Sequence, residues 1–254
     1  FFSRKNIISL YILMVIKTKK NTESNSLRKN TKKIVLNKCS PRKTSESITC
    51  FTKPSLKRII KYWNESYPHD KIIIGLTESK VDLWKKINKR LAKVCDNDYC
   101  WLSQPFLKNT SEIAEDFKPK MPESWKENKN EWLTTTDIES VMNQYTEKYP
   151  DFIFIGAVPI DFDKELNPGM CVINELCKIK ISSLLKQGVN KIGIVFNLDP
   201  HDQPGSHWVS FYGDLREGKL NYFDSYGFKP PKEVKMLVKR LTKQGQENNI
   251  RMKY

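Results

Sequence analysis

The residue types best suited to proton transfer occur in two short segments of the C-terminal half. His207 follows a loop rich in proline and glycine, and Asp224 follows an apolar segment. The polar stretch 214–217 between them predicts a four-residue hairpin loop that pairs Gly213 with Gly218. In this register His207 faces Asp224. An aspartate in that position fixes the imidazole tautomer and stabilises the protonated ring, so the spacing predicts a His–Asp pair able to move a proton.

The apolar residues of the two strands support this register. It places Val209 opposite Tyr222, so the His–Asp pair ends one largely apolar face. Opposed residues have Cβ atoms about 4.5–5.5 Å apart, which lets a carboxylate reach an imidazole nitrogen, whereas a β-bulge would separate the two side chains. The structural alternative is an ordinary histidine at a strand end and an aspartate in a turn. His207 lies at the mouth of a strand, where binding sites are common.

Alternating helix and strand patterns around these segments predict an α+β fold over residues 121–254. Apolar runs rich in β-branched and aromatic residues indicate strands, and apolar positions three and four residues apart indicate helices. The helix over about 137–149 is expected to be capped by Thr136 or Asp137, and the helix over 172–187 is expected to end at Gly188. The predicted strands cover 152–158, 191–198, 207–213, 218–224 and the region from residue 249 onward, and the predicted helices about 137–149, 172–187 and 231–241.

The N-terminal region differs in composition and charge. Residues 1–62 hold 16 Lys and Arg against 2 Asp and Glu, a net charge of +14, whereas the rest of the chain holds 28 against 27. Lys, Ser, Thr and Asn dominate up to about residue 53, so we predict a disordered basic tail over residues 1–53. We interpret residues 1–13 as upstream translation, because the first methionine is Met14.

A small helical unit is predicted over residues 54–120. Helical spacing runs from Val81 to Val94, with Thr77 or Ser79 as the N-cap and Asp82 three residues after Ser79. The apolar run 7–16 is too short to span a bilayer, and we expect no membrane attachment.

The cysteines are expected to be free thiols, because no convincing secretory signal precedes them. We interpret Cys171 and Cys177 as structural thiols on a helix. Cys95 and Cys100, spaced C-x4-C, could bind zinc together with Cys39, Cys50 or His69. These further ligands lack a recognisable spacing. The six are Cys39, Cys50, Cys95, Cys100, Cys171 and Cys177.

Several motifs resemble those of cysteine proteases of the SUMO-protease and adenovirus type, most of all the branch found in large DNA viruses. The resemblance is strong over about 191–241 and weaker over 132–163. The motifs are Asn197-Leu198-Asp199, Gly205, His207-Trp208, Tyr222-Phe223-Asp224-Ser225-Tyr226-Gly227 and Pro230-Pro231.

This resemblance implies a papain-like core with a central, mainly antiparallel sheet flanked by helices. It implies that His207 is the general base, that Asp224 orients it, and that Trp208 helps enclose a substrate's paired glycines; the alternative for Trp208 is a core residue opposite Phe223. In the family a Gln and then the nucleophilic Cys follow the Asp. We therefore expect this chain to stop short of them and to be inactive as it stands. Gln203, close to His207, is interpreted as a loop residue.

The implied activity is a cysteine endopeptidase that cuts after Gly-Gly sequences of a viral polyprotein, without metal or organic cofactor. One alternative is removal of SUMO or another ubiquitin-like protein. Another is a non-catalytic virion protein that binds nucleic acid through the basic tail; that tail could equally be a solvated linker or a localisation signal. A third is a pseudoprotease that binds Gly-Gly tails without cutting. The viral branch implies action in the host cytoplasm, at viral factories, and in the virion.

Overall fold

A computed structural model of the chain describes residues 39–41, 48–95, 97–107, 110–122, 124–128 and 131–254. They divide into two compact units, one ending at Lys120 and the other beginning at Met121. Most of the predicted basic tail, residues 1–38 and 42–47, lies outside the described residues. Its last part corrects the prediction of disorder, because Thr49, Cys50 and Phe51 are buried in the first unit.

The first unit is helical. Its first helix, Lys53–Ser66, begins after Thr52, whose hydroxyl accepts from Ser55 N. The next, Lys80–Leu91, begins with a capping box in which Ser79, one of the two predicted caps, and Asp82 bond each other's backbone. Both helices bury apolar stripes in one cluster around Phe51 and Trp101. The helices are α1 (Lys53–Ser66), α2 (Lys80–Leu91), α3 (Asp98–Trp101) and α4 (Ser111–Ala114), with 3-10 turns at Pro105–Leu107 and Glu115–Phe117.

The second unit is built on a four-stranded sheet in the order β1 (Phe152–Pro159), β4 (Lys191–Asn197), β5 (Trp208–Asp214) and β6 (Lys219–Phe223). β1 and β4 are parallel, and the other two pairings are antiparallel, so the sheet is mixed and mainly antiparallel. The remaining strands are β2 (Glu165–Asn167) and β3 (Met170–Cys171); the helices are α5 (Ser124–Glu127), α6 (Thr135–Lys148), α7 (Asn174–Cys177), α8 (Ile181–Lys186) and α9 (Lys232–Glu247).

Helices cover both faces of this sheet, because alternate strand residues point to opposite sides. Val209 and Phe211 pack with the apolar stripe of α9, whereas Trp208 and Tyr212 pack with α6. The α9 stripe is the predicted one: Val234, Leu237, Val238 and Leu241. The predicted α+β class, with a mainly antiparallel sheet flanked by helices, is confirmed.

Three predictions of local structure are wrong. The segment from residue 249 onward, expected to be a strand, makes only an isolated bridge between Lys253 and Lys219. The helix expected over residues 172–187 is split into α7 and α8, because Lys180 is extended (φ −125°, ψ 115°) and turns both Ile179 and Ile181 into the core. The cap of α6 is Thr134, which forms a capping box with Asp137. Of the helices that the structure describes, none combines the length and apolar character needed to cross a bilayer.

Candidate active site

His207 and Asp224 meet at one end of the sheet, just before β5 and just after β6. The imidazole Nε2 lies 2.8 Å from Asp224 Oδ1. A carboxylate can only accept, so Nε2 carries the proton and Nδ1 is the basic nitrogen of the neutral ring. Both side chains are sheltered, with 13% of His207 and 1% of Asp224 exposed. The two residues predicted to form a proton-transfer pair are therefore brought together.

The hairpin register that led to this pair is wrong by two residues. Gly213 pairs with Leu220 and Ser210 with Phe223, so the loop is 215–218 and not 214–217. Gly218 belongs to the turn because it is left-handed (φ 64°), and a Cβ there would lie 2.2 Å from the carbonyl oxygen of Arg251. A slip of two residues keeps every side chain on its face. His207 consequently reaches Asp224 along the diagonal, a distance that long side chains bridge.

The Asp224 carboxylate is tied to the turn that follows it. Oδ1 accepts from the backbone N–H of Tyr226 at 2.9 Å as well as from His207. Oδ2 is buried and has no hydrogen-bond partner among the described residues. The Tyr226 ring lies over the imidazole, with ring centroids 4.7 Å apart. Asp224 thus fixes the histidine and the adjoining turn together.

The loop that delivers His207 is closed by Asn197, the last residue of β4. Its Oδ1 accepts from the backbone N–H of Asp199 at 3.0 Å and of Ser206 at 3.1 Å, which joins the two ends of the loop. Ser206 Oγ also donates to Asp199 Oδ1 at 2.6 Å. Gly205 is left-handed (φ 94°), and a Cβ on it would lie 2.6 Å from Asn197 Nδ2. Glycine at this position therefore lets the Asn197 side chain cross the loop.

A cleft of about 910 Å³ lies over the ends of β1, β4 and β5; Ser206 and Trp208, the chain neighbours of His207, line it, whereas His207 and Asp224 do not. Trp208 forms part of its wall and is 8% exposed. The indole Nε1–H donates to the carbonyl oxygen of Leu133 at 3.0 Å, just before the capped start of α6, so the ring is held in place. Trp208 pairs with Asn197 on β4, not with Phe223 on β6. It is at once a core residue and a wall of the cleft.

Trp132 is a cleft residue that sequence reasoning missed. It lines the same cleft as Trp208, and 65% of it is exposed, which is unusual for so large an apolar side chain. The available signal was a tryptophan directly before the polar start of a predicted helix. Gln203 also lines the cleft, in a turn closed by its N–H to Pro200 O at 3.1 Å, as expected of a loop residue.

The cysteines correct the prediction of free thiols, because all six are paired in disulfides. The last pair also departs from its expected position on one helix, since Cys171 lies in β3 and Cys177 ends α7. Among the described residues no group of three or more His, Cys, Asp or Glu is placed to hold a metal ion. The pairs are Cys39–Cys50, Cys95–Cys100 and Cys171–Cys177.

Tyr222, on the same face as Asp224, reports on the electrostatics of this end of the sheet. Burial raises the pKa of the phenol to about 12, with smaller contributions from the charge of Asp224 and from Tyr254. Burial also raises the pKa of Tyr212, on the opposite face, far above its usual range. Both phenols therefore remain neutral at physiological pH.

Comparison with known proteins gives this arrangement a context. No family model matches the chain. A thiol protease of Acanthamoeba polyphaga mimivirus is 32% identical in an alignment of 242 residues that covers 86% of this chain and 77% of that protein. A cysteine protease of African swine fever virus is 23% identical over 190 residues, covering 66% of this chain and 70% of the viral protein. A crystal structure of the African swine fever virus protease has a TM-score of 0.41 and 19% identity, covering 80% of this chain and 71% of that one.

The mimivirus relative is 32% identical to this chain and is matched over most of the length of both proteins. The chain therefore belongs to the SUMO-protease-like cysteine protease family of large DNA viruses.

Proposed function

We propose that this protein is a cysteine endopeptidase that cuts after Gly-Gly sequences, with His207 as general base and Asp224 as its orienting partner. The observation that carries the proposal is the 2.8 Å contact between the two side chains beside a cleft walled by Trp208. The contact holds the ring in one tautomer and leaves Nδ1 basic. Viral relatives named as thiol and cysteine proteases support this reaction class.

The reaction needs a thiol, whose proton His207 takes as the sulfur attacks the scissile carbonyl. The protonated ring then gives the proton to the departing amine. In the second half His207 takes a proton from water, the water oxygen attacks the acyl group, and the ring returns the proton to the departing sulfur. Asp224 stabilises the ring while it is protonated. The thiol is not one of the six cysteines described above, since each is bonded to another cysteine. We therefore expect the 254-residue chain to bind Gly-Gly peptides without hydrolysing them.

Preference for Gly-Gly follows from the rigid indole of Trp208. Its N–H is anchored to Leu133 O, so the flat ring cannot move aside for a bulky side chain. Trp132 adds a second indole to the same cleft. A slot beside such a fixed flat ring admits main chain without side chains, which selects glycine. The family resemblance gives Trp208 the same role.

Two substrate classes are compatible with this slot. The viral branch of the family favours a viral polyprotein, with cleavage at viral factories in the host cytoplasm and in the virion. A relative in African swine fever virus named as a SUMO-1 cysteine protease favours a ubiquitin-like protein instead. We propose the polyprotein as the main substrate. Parallel assays on a Gly-Gly-containing viral structural polyprotein and on a SUMO conjugate would separate the two, because preferential cleavage of the SUMO conjugate contradicts this choice.

The activity test uses the protein as its coding sequence produces it. Peptides containing Gly-Gly should be cut after the second glycine, and matched Ala-Ala peptides should not. Alkylation of thiols and His207→Ala should each abolish cleavage. His69→Ala, an exposed histidine of the helical unit, is the matched control and should leave the rate unchanged. Full activity of His207→Ala, or equal cleavage of Ala-Ala peptides, would overturn the proposal.

A further inference from the structure

Two exposed aromatic side chains continue from the His–Asp pair onto the protein surface. Tyr226 is 56% exposed and Phe228 is 69% exposed. Their ring centroids are 6.1 Å apart, and the Tyr226 ring also contacts the imidazole of His207. We call this pair the aromatic shelf. Large apolar side chains grouped at the surface beside a catalytic group indicate a binding surface.

The turn that carries the aromatic shelf is fixed at both ends. Tyr226 N–H donates to Asp224 Oδ1, and Gly227 N–H donates to the Asp224 carbonyl at 3.0 Å. Gly227 is left-handed (φ 77°), and Pro230-Pro231 leads directly into α9. The rings are therefore presented in a preformed arrangement, and binding against them loses little conformational entropy.

The strand order places the cleft and the aromatic shelf on either side of His207. The cleft covers the ends of β1, β4 and β5, and the shelf follows β6, the next strand of the sheet. His207 and Trp208 are neighbours in an extended segment, so their side chains point to opposite sides. A polypeptide that follows this strand order from the cleft past His207 would continue over Tyr226, whose ring contacts the imidazole, and then over Phe228.

We propose that the aromatic shelf binds an apolar or aromatic side chain in the substrate segment that follows the scissile bond. This inference rests on the proposed function, in which the cleft beside Trp208 holds the Gly-Gly side of the substrate. The occupant is apolar because the two rings offer broad faces and no charge. The enzyme thereby selects residues on both sides of the cut, with glycine in the cleft and a large apolar residue on the shelf.

The test compares two peptides that share the same residues up to Gly-Gly, one ending there and one continuing with Phe-Ser. Binding to the 254-residue chain is measured by isothermal titration calorimetry, which does not require hydrolysis. The extended peptide should bind about ten-fold more tightly, the gain expected from burying one large apolar side chain against two rings. In Phe228→Ala the ratio of the two affinities should fall towards one. Met236→Ala, which removes an exposed apolar side chain of α9, should keep the ten-fold ratio.

Each outcome bears on one proposal. If both peptides bind the parent chain equally, the shelf is not a binding surface, while the Gly-Gly slot stands. If extension helps equally in the parent and in Phe228→Ala, Phe228 does not contribute and the inference fails. If neither peptide binds, the Gly-Gly proposal fails and the shelf inference fails with it. A peptide extended with Asp-Ser tests the chemistry, since a gain as large as that from Phe-Ser would show that the occupant need not be apolar.

Discussion

Replacing Asp224 by Asn or by Ala should separate the stability of the site from its catalytic role. The Asp224 side chain is buried, and its Oδ1 accepts from His207 Nε2 and Tyr226 N at 2.8 and 2.9 Å. Asn keeps an oxygen at this place, whereas Ala removes it. Both replacements remove the charge that would stabilise the protonated His207.

The expected magnitudes follow from these two hydrogen bonds. A bond to a charged group contributes about 1.5–3 kcal/mol and a neutral one about 1 kcal/mol, so Asn weakens both bonds. Asn also replaces the buried, unpartnered Oδ2 of Asp224 by an uncharged amide nitrogen. Burying a neutral amide costs less free energy than burying a charged carboxylate. These effects oppose each other, and we expect Asp224→Asn to lie within about 1 kcal/mol of the parent chain. Asp224→Ala loses both bonds and leaves two donors unpaired, so its free energy of unfolding should fall by about 3 kcal/mol.

Urea denaturation of the three chains, followed by tryptophan fluorescence, measures these differences. In the protein as its coding sequence produces it, cleavage should fall about 5- to 30-fold in Asp224→Asn despite its near-parental stability, because the retained oxygen keeps the tautomer while about 1–2 kcal/mol of charge assistance is lost. If Asp224→Ala is as stable as the parent, the hydrogen bonds to Oδ1 are not formed. If Asp224→Asn is as unstable as Asp224→Ala, the two bonds depend on the charge and not on the retained oxygen, which contradicts the predicted separation of stability from catalysis.

Three further predictions address other parts of the chain. Because burial raises the pKa of Tyr222 to about 12, its phenol ionises in the unfolded chain before it ionises in the folded one. The urea concentration at the unfolding midpoint should therefore fall as the pH rises from 10 to 12. The midpoint of Tyr222→Phe should fall less, and an identical fall would contradict the raised pKa of Tyr222. Gly205→Ala should lower the free energy of unfolding by about 2 kcal/mol and lower the rate of cleavage. Gly188 is also left-handed, but no atom lies within 4 Å of where its Cβ would stand, so Gly188→Ala should show only the smaller backbone effect. Equal losses of stability in the two variants would rule out the contact with Asn197. Residues 1–38 hold ten basic residues, Lys or Arg, and a single acidic one, Glu23. Their deletion should abolish retention of the chain on heparin at moderate salt. Unchanged retention would place polyanion binding elsewhere in the chain.

Local sequence signals were sufficient for most elements of the fold. Ser79 and Asp82 form the predicted capping box because both partners lie within one helical turn. The stripe of α9 from Val234 to Leu241 is buried as expected, because helical periodicity determines one apolar face whatever that face packs against. The motif from Asn197 to Gly227 indicated the family, and the mimivirus relative confirms it.

Predictions that depended on distant contacts were less accurate. The hairpin register was wrong because Gly218 lies in the turn, where its carbonyl oxygen accepts from the backbone N–H of Lys253 at 2.6 Å and Arg251 leaves no room for a Cβ; both partners lie far along the chain. The helix expected over residues 172–187 is broken because Ile179 and Ile181 both enter the core. The pairing of the cysteines likewise depends on which thiols the fold brings together.

The sequence by itself determined that His207 and Asp224 would share one face of a hairpin, since a slip of two residues preserves the alternation of side chains. Tertiary structure decided how they meet. The contact is diagonal, the Asp224 carboxylate also holds the turn of Tyr226, and Asn197 closes the loop before His207. Trp132 joins Trp208 in the cleft only because the start of α6 lies against β5. Side-chain alternation is a property of the local backbone, whereas these contacts join segments that only the packed core brings together.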